Sequence, residues 1–174
     1  MRVLIDTNVI LDVLCNRSDF LENSLKIWKL CEVKKIEGYI SALSVPNIVY
    51  ILRKELTPQK TMEIISKLMT IFEVAELKPG DLKNAAEMCL ADYEDAVQMC
   101  CAKRIKADYI VTRNVRDFKE SVVPAFKPGE LLDRIYSERQ NKFDFHYNHF
   151  INIALHIRSL RSLRAYRLIV RSQI

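Results

Sequence analysis

The fold of this 174-residue chain is decided by residues 1–14, which read MRVLIDTNVILDVL. Residues 3–5 form a continuous apolar run, which is typical of a strand buried on both faces of a parallel sheet. The run ends at Asp6, and from Val9 onward apolar residues recur at helical spacing. The stretch therefore predicts a strand, an acidic side chain at the carboxyl end of that strand, and then a helix. Ligands of open α/β sheets bind at this edge.

Asp6 fits two roles. As a helix N-cap it would accept a hydrogen bond from the first turn, because Asp is among the preferred cap residues. Thr7 offers the same capping chemistry without placing a carboxylate at the edge of the sheet. We therefore interpret Asp6 as a candidate functional acid.

Helical and strand patterns alternate beyond this stretch. Strands are predicted at residues 39–40, 72–77 and 109–111, and an edge strand at residues 122–126, which contain Pro124. Helices are predicted over residues 18–37, 43–55, 57–71, 82–91, 93–106 and 128–136, with a turn of helix at 115–118. Gly38 is expected to end the helix over residues 18–37. Pro79-Gly80-Asp81 is interpreted as a turn. The alternation indicates an α/β fold with a parallel sheet of four to five strands and helices on both faces.

The net charge of +5 is concentrated in the C-terminal part of the chain. From Tyr136 onward there are seven basic and two acidic residues, whereas residues 1–135 carry twenty of each. We therefore expect one domain over residues 1–135 and a basic extension of uncertain structure over residues 136–174. The extension is interpreted either as an arm that binds RNA or an acidic protein, or as an appended segment without function.

Composition favours a cytoplasmic globular protein without a membrane span. No segment approaches the roughly 20 apolar residues that a membrane-spanning helix needs. The five cysteines are odd in number and include no CxxC pair, so we interpret them as reduced thiols of the core. The three histidines lie far from the cysteines along the chain, which argues against a zinc site.

Acidic and amide side chains gather where strands are predicted to end or helices to begin. Asp6 follows the first strand, Asn114 and Asp117 follow the strand at 109–111, and Asp92, Glu94 and Asp95 open the helix before that strand. Clustered carboxylates repel one another unless a cation is present. Asp residues without His or Cys suit Mg²⁺ or Mn²⁺, which support metal-assisted hydrolysis of phosphate esters.

Each of the later acids also has a structural interpretation. Asp92, Glu94 and Asp95 are favoured at a helix N-terminus by the helix dipole. Asp117 is also compatible with an ordinary surface position. The pattern as a whole therefore carries more weight than any single acid.

Three segments together resemble the PIN domain family, in the branch that contains the toxins of VapBC toxin–antitoxin pairs. They are LIDTNVILD (residues 4–12), DYEDAVQ (residues 92–98) and IVTRNVRDF (residues 110–118), within a resemblance that spans residues 1 to 135. The resemblance implies a three-layer α/β/α fold and an endoribonuclease dependent on Mg²⁺ or Mn²⁺. It also implies an RNA substrate, an antitoxin partner and a homodimer.

The resemblance also implies site residues. Asp6, Asp95 and Asp117 match the family's acidic metal ligands, and Asn114 matches their polar companion. Thr7, Asn8 and Thr112 match the small polar residues that orient the acids.

One position departs from the family pattern. The family usually has a glutamate on the helix after the second strand, and the matching residue here is Asn47. An amide contributes no negative charge, so metal affinity should fall. Either Asp92 or Glu94 compensates, or the protein is a weak or inactive nuclease that serves as a binding module for RNA or protein.

Substrate contacts are less specific in the sequence. Arg53, Lys54, Arg113 and Arg116 are expected near the acidic edge, either as contacts to RNA phosphates or as ordinary surface residues. The aromatic residues Trp28, Tyr39 and Tyr50 fit the core or a dimer face better than base stacking.

Overall fold

The fold is given by a computed structural model, which describes residues 1–140. The central strand is β1 (Arg2–Ile5), and the other strands are β2 (Glu37–Ser41), β3 (Glu73–Ala75), β4 (Tyr109–Val111) and β5 (Ala125–Phe126). The helices are α1 (Thr7–Leu14), α2 (Ser18–Glu32), α3 (Ser44–Leu52), α4 (Pro58–Ile71), α5 (Pro79–Met88), α6 (Tyr93–Arg104) and α7 (Pro128–Gln140), with a 3₁₀ turn at Val115–Phe118.

All five strands are parallel, and their order in the sheet is β3-β2-β1-β4-β5. β1 lies in the middle, and Val3, Leu4 and Ile5 are buried as a strand with both faces covered requires. Ile5 pairs with Val111, so the carboxyl ends of β1 and β4 lie side by side. The α/β fold with a parallel sheet is confirmed, and β5 occupies the edge expected from Pro124.

One compact unit spans Met1–Leu132, and a second begins at Asp133. Within the second unit the Ser137 hydroxyl donates to the Asp133 carbonyl oxygen at 2.9 Å. α7 continues to Gln140 rather than ending at Tyr136, because Glu, Arg and Gln are good helix formers. The remainder of the predicted basic extension lies outside the described residues.

The prediction that Gly38 ends a helix was wrong. α2 ends at Glu32, and Gly38 is buried inside β2. A Cβ atom at Gly38 would lie 2.6 Å from Cys31 Sγ and 2.9 Å from Phe72 Cδ1. Glycine is therefore required here by the close packing of α2 against the sheet.

Helix starts follow the capping residues. The Thr57 side chain accepts a hydrogen bond from the Lys60 backbone N–H at 3.3 Å, with Pro58 at the first helical position as expected. The interpretation of residues 79–81 as a turn was wrong, because Pro79 already begins α5. Asp81 Oδ2 accepts from the Lys78 backbone N–H at 3.0 Å and so stabilises this earlier start.

The described residues include all five cysteines and helices α1 to α7. All five cysteines are free thiols there, but only Cys31 and Cys101 are buried, and Cys89 is exposed. The core interpretation is therefore correct for Cys31 and Cys101 and wrong for Cys89, whereas Cys15 and Cys100 are half-buried. Between residues 1 and 140, no helix combines the length and the hydrophobicity that crossing a membrane requires.

Candidate active site

Asp6 lies at the end of β1 with 4% of its surface exposed, and three side chains donate hydrogen bonds to it. Thr112 Oγ1 donates to Oδ2 at 2.6 Å, the Asn8 amide donates to the same oxygen, and Gln98 Nε2 donates to Oδ1 at 3.2 Å. Asp6 occupies the N-cap position of α1, but its side chain makes no capping hydrogen bond. The carboxylate is therefore oriented mainly by the three side chains that donate to it.

A cleft of about 530 Å³ opens at this edge of the sheet. It brings together nearly all of the candidate residues from the sequence. They are Asp6, Thr7, Asn8, Asn47, Asp92, Glu94, Asp95, Asn114 and Asp117. Three basic side chains, Arg17, Lys54 and Arg113, line the same cleft.

Negative charge is concentrated in the cleft. Burial raises the pKa of Asp95 to about 7, helped by the nearby charges of Asp6, Asp92, Asp117 and Glu94. Burial also raises the pKa of Asp6, against the opposing effect of the hydrogen bonds from its neighbours. A bound cation would relieve this repulsion, because it favours the ionised forms.

Thr112 connects the two sides of the site. Its hydroxyl donates to Asp6 and accepts from the Asn8 amide at 3.2 Å and from the Asn114 backbone N–H at 3.0 Å. Asn114 precedes the 3₁₀ turn that carries Asp117, whose backbone N–H donates to the Asn114 carbonyl at 2.9 Å. The loop after β4 is thereby tied to the carboxylate at the end of β1.

The acids at the start of α6 differ in their roles. Asp92 caps the helix, since its Oδ1 accepts from the backbone N–H groups of Glu94 at 2.9 Å and Asp95 at 3.2 Å. Glu94 Oε1 accepts from the Thr7 hydroxyl at 3.3 Å and so links α6 to α1. Glu94 and Asp95 lie in the first turn of α6, where the helix dipole favours acids, and Asp92 in addition caps the helix.

The chemistry of the donor set fits a hard divalent cation. The side chains offer carboxylate, amide and hydroxyl oxygens, which Mg²⁺ and Mn²⁺ prefer. Among the described residues, Gln98 Oε1 is a buried acceptor without a hydrogen-bond partner, and its side chain lines the cleft. Within residues 1–140, however, no three acidic, His or Cys side chains are arranged to hold one ion as they stand.

Sequence reasoning missed three side chains near the site. Gln98 and Asp12 are both buried, and Arg17 lines the cleft. Gln98 and Asp12 are polar residues inside apolar helical runs, AVQMCCA and VILDVL. A polar residue at a position that should face the core was the available signal.

The basic and aromatic candidates divide into two groups. Arg113 and Lys54 line the cleft, whereas Arg53 and Arg116 are exposed outside its lining. Trp28 is buried and packs against Phe72 with ring centroids 5.0 Å apart. Tyr50 is 68% exposed at the cleft, with Lys54 Nζ 4.7 Å from its ring centroid. Of the two expected positions for Tyr50, the core is therefore excluded and a dimer face stays a prediction.

Residues 2–116 match the family model of the PIN domain. No curated protein matches the chain. The matched region contains Asp6 and Asp95 and ends one residue before Asp117.

Solved structures share the fold at low identity. VapBC2 from Rickettsia felis, bound to a DNA fragment from its promoter, is 16% identical with a TM-score of 0.57, covering 73% of this chain and 98% of that one. FitAcB from Neisseria gonorrhoeae is 19% identical with a TM-score of 0.58, covering 73% and 98%. A toxin–antitoxin complex from Klebsiella pneumoniae is 19% identical with a TM-score of 0.55, covering 72% and 97%.

Proposed function

The chain belongs to the PIN domain family, and from this premise we propose that it is an endoribonuclease that hydrolyses RNA phosphodiester bonds with Mg²⁺ or Mn²⁺. One observation carries the proposal. Asp6, Asp95 and Asp117 come from three separate segments and line the same cleft. Such a concentration of carboxylates is costly for the folded protein without a cation, so a functional reason for it is required.

Asp6, Asp95 and Asp117 would hold the ion. When bound, the ion would lower the pKa of a coordinated water and polarise the phosphate. Thr112, Asn8 and Gln98 fix the orientation of Asp6 through hydrogen bonds, so the carboxylate keeps its position when the substrate binds. Thr7 and Asn114 support this arrangement through Glu94 and Thr112.

We further propose that the protein is the toxin of a toxin–antitoxin pair and forms a homodimer. The toxin role is supported by the fold shared with FitAcB and with the toxin–antitoxin complex from Klebsiella pneumoniae. The homodimer is proposed from the resemblance to the toxins of VapBC pairs. An antitoxin partner would silence the cleft until it is removed.

A second candidate function is a PIN-fold module that binds RNA or protein without cutting it. Asn47 favours it, because this residue lines the cleft from α3 and contributes an uncharged amide. The loss of one negative charge lowers the attraction for a divalent ion. Asp92 and Glu94 line the same cleft and are the acids that would compensate.

The two functions are separated by calorimetric titration of Mn²⁺ into the wild type, Asp95→Asn and Asn47→Glu, with cleavage of a mixed RNA pool measured in parallel. We expect the wild type to bind Mn²⁺ and cut RNA, and Asp95→Asn to lose both. If only Asn47→Glu binds and cuts, the natural protein is a degenerate copy without nuclease activity, and the second candidate function is favoured. Metal binding without cleavage by any variant would overturn the nuclease proposal.

A further inference from the structure

We propose that Arg17 and Arg113, held in place by the buried carboxylate of Asp12, form a subsite for a backbone phosphate of the RNA strand beside the acidic cluster. The inference deepens the proposed function and rests on it. It adds the groups that attract a polyanion to a cleft whose other charges are mostly negative.

The anchor of the subsite is Asp12 on α1. Its side chain is completely buried, and the Ser24 hydroxyl donates to Oδ2 at 3.0 Å. The other oxygen, Oδ1, lies 3.6 Å from Nη1 of Arg17 and 3.6 Å from Nη1 of Arg113. One carboxylate oxygen is therefore shared by two guanidinium groups that reach it from different segments of the chain.

Arg113 is also held by contacts other than the ion pair. Its guanidinium carbon lies 4.4 Å from the centroid of the Phe20 ring, a cation–π contact. Its backbone N–H donates to Asn8 Oδ1 at 3.2 Å, which ties it to the residue that also hydrogen-bonds Asp6. The long side chain has thus lost much of its freedom before any ligand binds, which lowers the entropic cost of binding.

The ion pairs with Asp12 leave both arginines able to bind a further anion. Two positive charges share one negative charge, so the group keeps one positive charge in excess. Separations of 3.6 Å are longer than the roughly 2.7–2.9 Å of strong charge-assisted hydrogen bonds. The side chains of Arg17 and Arg113 remain 35% and 24% exposed, and both line the cleft.

Charge balance alone does not account for this arrangement, since one arginine would neutralise Asp12. The planar guanidinium fork matches the oxygens of a phosphate, and two such groups facing one cleft can hold a single phosphate. The acidic cluster beside them repels RNA, so local positive charge is needed for the strand to approach. A protein partner with acidic side chains is the competing occupant, and the test includes it.

The test measures binding without cleavage. A fluorescent single-stranded oligonucleotide with 2′-O-methyl sugars is titrated in EDTA with the wild type, Arg17→Gln, Arg113→Gln and Arg53→Gln, at several salt concentrations. Arg53 is exposed outside the lining of the cleft and serves as the matched control. Thermal unfolding of each variant checks that it is folded.

We expect Arg17→Gln and Arg113→Gln each to weaken binding about tenfold, as removal of a hydrogen bond to a charged group implies. For each phosphate of the single strand that a variant no longer neutralises, the slope of log K against log salt should fall by about 0.7. Arg53→Gln should change neither quantity. If Arg17→Gln and Arg113→Gln bind with the same affinity and the same salt slope as the control Arg53→Gln, the proposal is overturned.

A second measurement alters the ligand instead of the protein. Oligonucleotides that each carry one neutral methylphosphonate linkage are compared, and at one position the linkage should weaken binding to the wild type more than binding to Arg113→Gln, in which only Arg17 contacts that phosphate. Uniform effects at every position, or tighter binding of an acidic peptide than of the oligonucleotide, would contradict a phosphate subsite. Cleavage of a natural RNA with Mn²⁺ is followed separately. If the wild type does not cleave RNA but the arginine variants bind the oligonucleotide more weakly, the nuclease proposal fails and the subsite stands. If the wild type cleaves RNA but the arginine variants bind as tightly as the wild type, the subsite fails and the nuclease proposal stands.

Discussion

Thr112 Oγ1 lies 2.6 Å from Asp6 Oδ2, although 106 positions separate the two residues in the sequence. The pairing of β1 with β4 brings them together, because Ile5 and Val111, the last residues of these strands, are in register. The hydroxyl also accepts hydrogen bonds from Asn8 and Asn114. A single side chain thus connects the carboxylate at the centre of the site to the loop that carries Asp117.

Replacing this hydroxyl should loosen the site. We expect Thr112→Val to lower the free energy of unfolding by about 2 kcal/mol, because a buried carboxylate loses a donor and two further groups lose their acceptor. Urea denaturation measures the change. Thr112→Ser keeps the hydroxyl and should lose markedly less. Equal losses for Val and Ser would mean that the methyl group, rather than the hydrogen bonds, is what matters.

Asp95 should make the metal-free protein less stable as the pH rises. Its pKa is raised to about 7 in the folded state by burial and by the neighbouring acids, against about 3.9 for an unperturbed Asp. The folded state therefore holds more protons than the unfolded state between these values, and its stability falls as the pH rises through this window. Urea midpoints at about pH 5 and about pH 7.5 measure the fall.

The same prediction gives a result for Asp95→Asn. This variant cannot ionise, so its urea midpoint should exceed that of the wild type at about pH 7.5 and should depend less on pH. Asp19→Asn, which changes an exposed acid on α2, provides the control. A wild-type protein whose stability rises over this window, with no gain from Asp95→Asn, would show that the acids of the cleft do not repel one another.

The sequence predicted those features that depend on local patterns. Val3 to Ile5 identify a buried strand by their own apolarity, and Asp6 is placed at its end by chain order alone. The role of Gly38 could not be found this way, because the atoms that exclude a side chain there belong to Cys31 and Phe72. A single glycine after a helical run has the same local pattern as a helix C-terminus.

The residues of the candidate site also fall into those that local sequence patterns identify and those that they do not. The acids were identifiable because a charged residue at a strand end or helix start stands out. Asp12 and Gln98 lie within helices, and nothing local shows that one anchors two arginines while the other donates to Asp6. Such long-range partners depend on how α1 and α6 pack against the sheet.

Asp81 and Arg104 form an ion pair that should give the protein sensitivity to acid. Arg104 Nε donates to both carboxylate oxygens of Asp81 at 3.0 Å, and its Nη2 lies 2.9 Å from Oδ2. Burial raises the pKa of Asp81, but the hydrogen bonds from Arg104 and the Lys78 backbone outweigh it, and the net pKa is lowered. The stabilisation is therefore complete above the unfolded pKa and is lost as the pH falls through the folded one.

We expect Asp81→Asn to lower the free energy of unfolding at neutral pH by about 1.5–3 kcal/mol, the range for hydrogen bonds to charged groups. Acid titration followed by circular dichroism should show that the variant has lost part of the wild type's pH dependence below about pH 4. Arg104→Lys is the matched control, since it keeps the charge and loses the bidentate geometry. An unchanged acid transition in Asp81→Asn would contradict the role of this pair.

Gly38 and Gly80 give opposite predictions for the same substitution. Gly38→Ala places a methyl group 2.6 Å from Cys31 Sγ and 2.9 Å from the Phe72 ring, and we expect a loss of about 1–3 kcal/mol from overpacking. Gly80 lies in the first turn of α5 with nothing within 4 Å of an added Cβ, so Gly80→Ala should be neutral or stabilise by up to about 1 kcal/mol. Urea unfolding of both variants measures the difference.

The double variant Gly38→Ala/Cys31→Ala should recover part of the loss, because the Sγ atom is removed while Phe72 remains. If Gly38→Ala proves as stable as Gly80→Ala, then α2 does not pack against β2 as closely as these distances require.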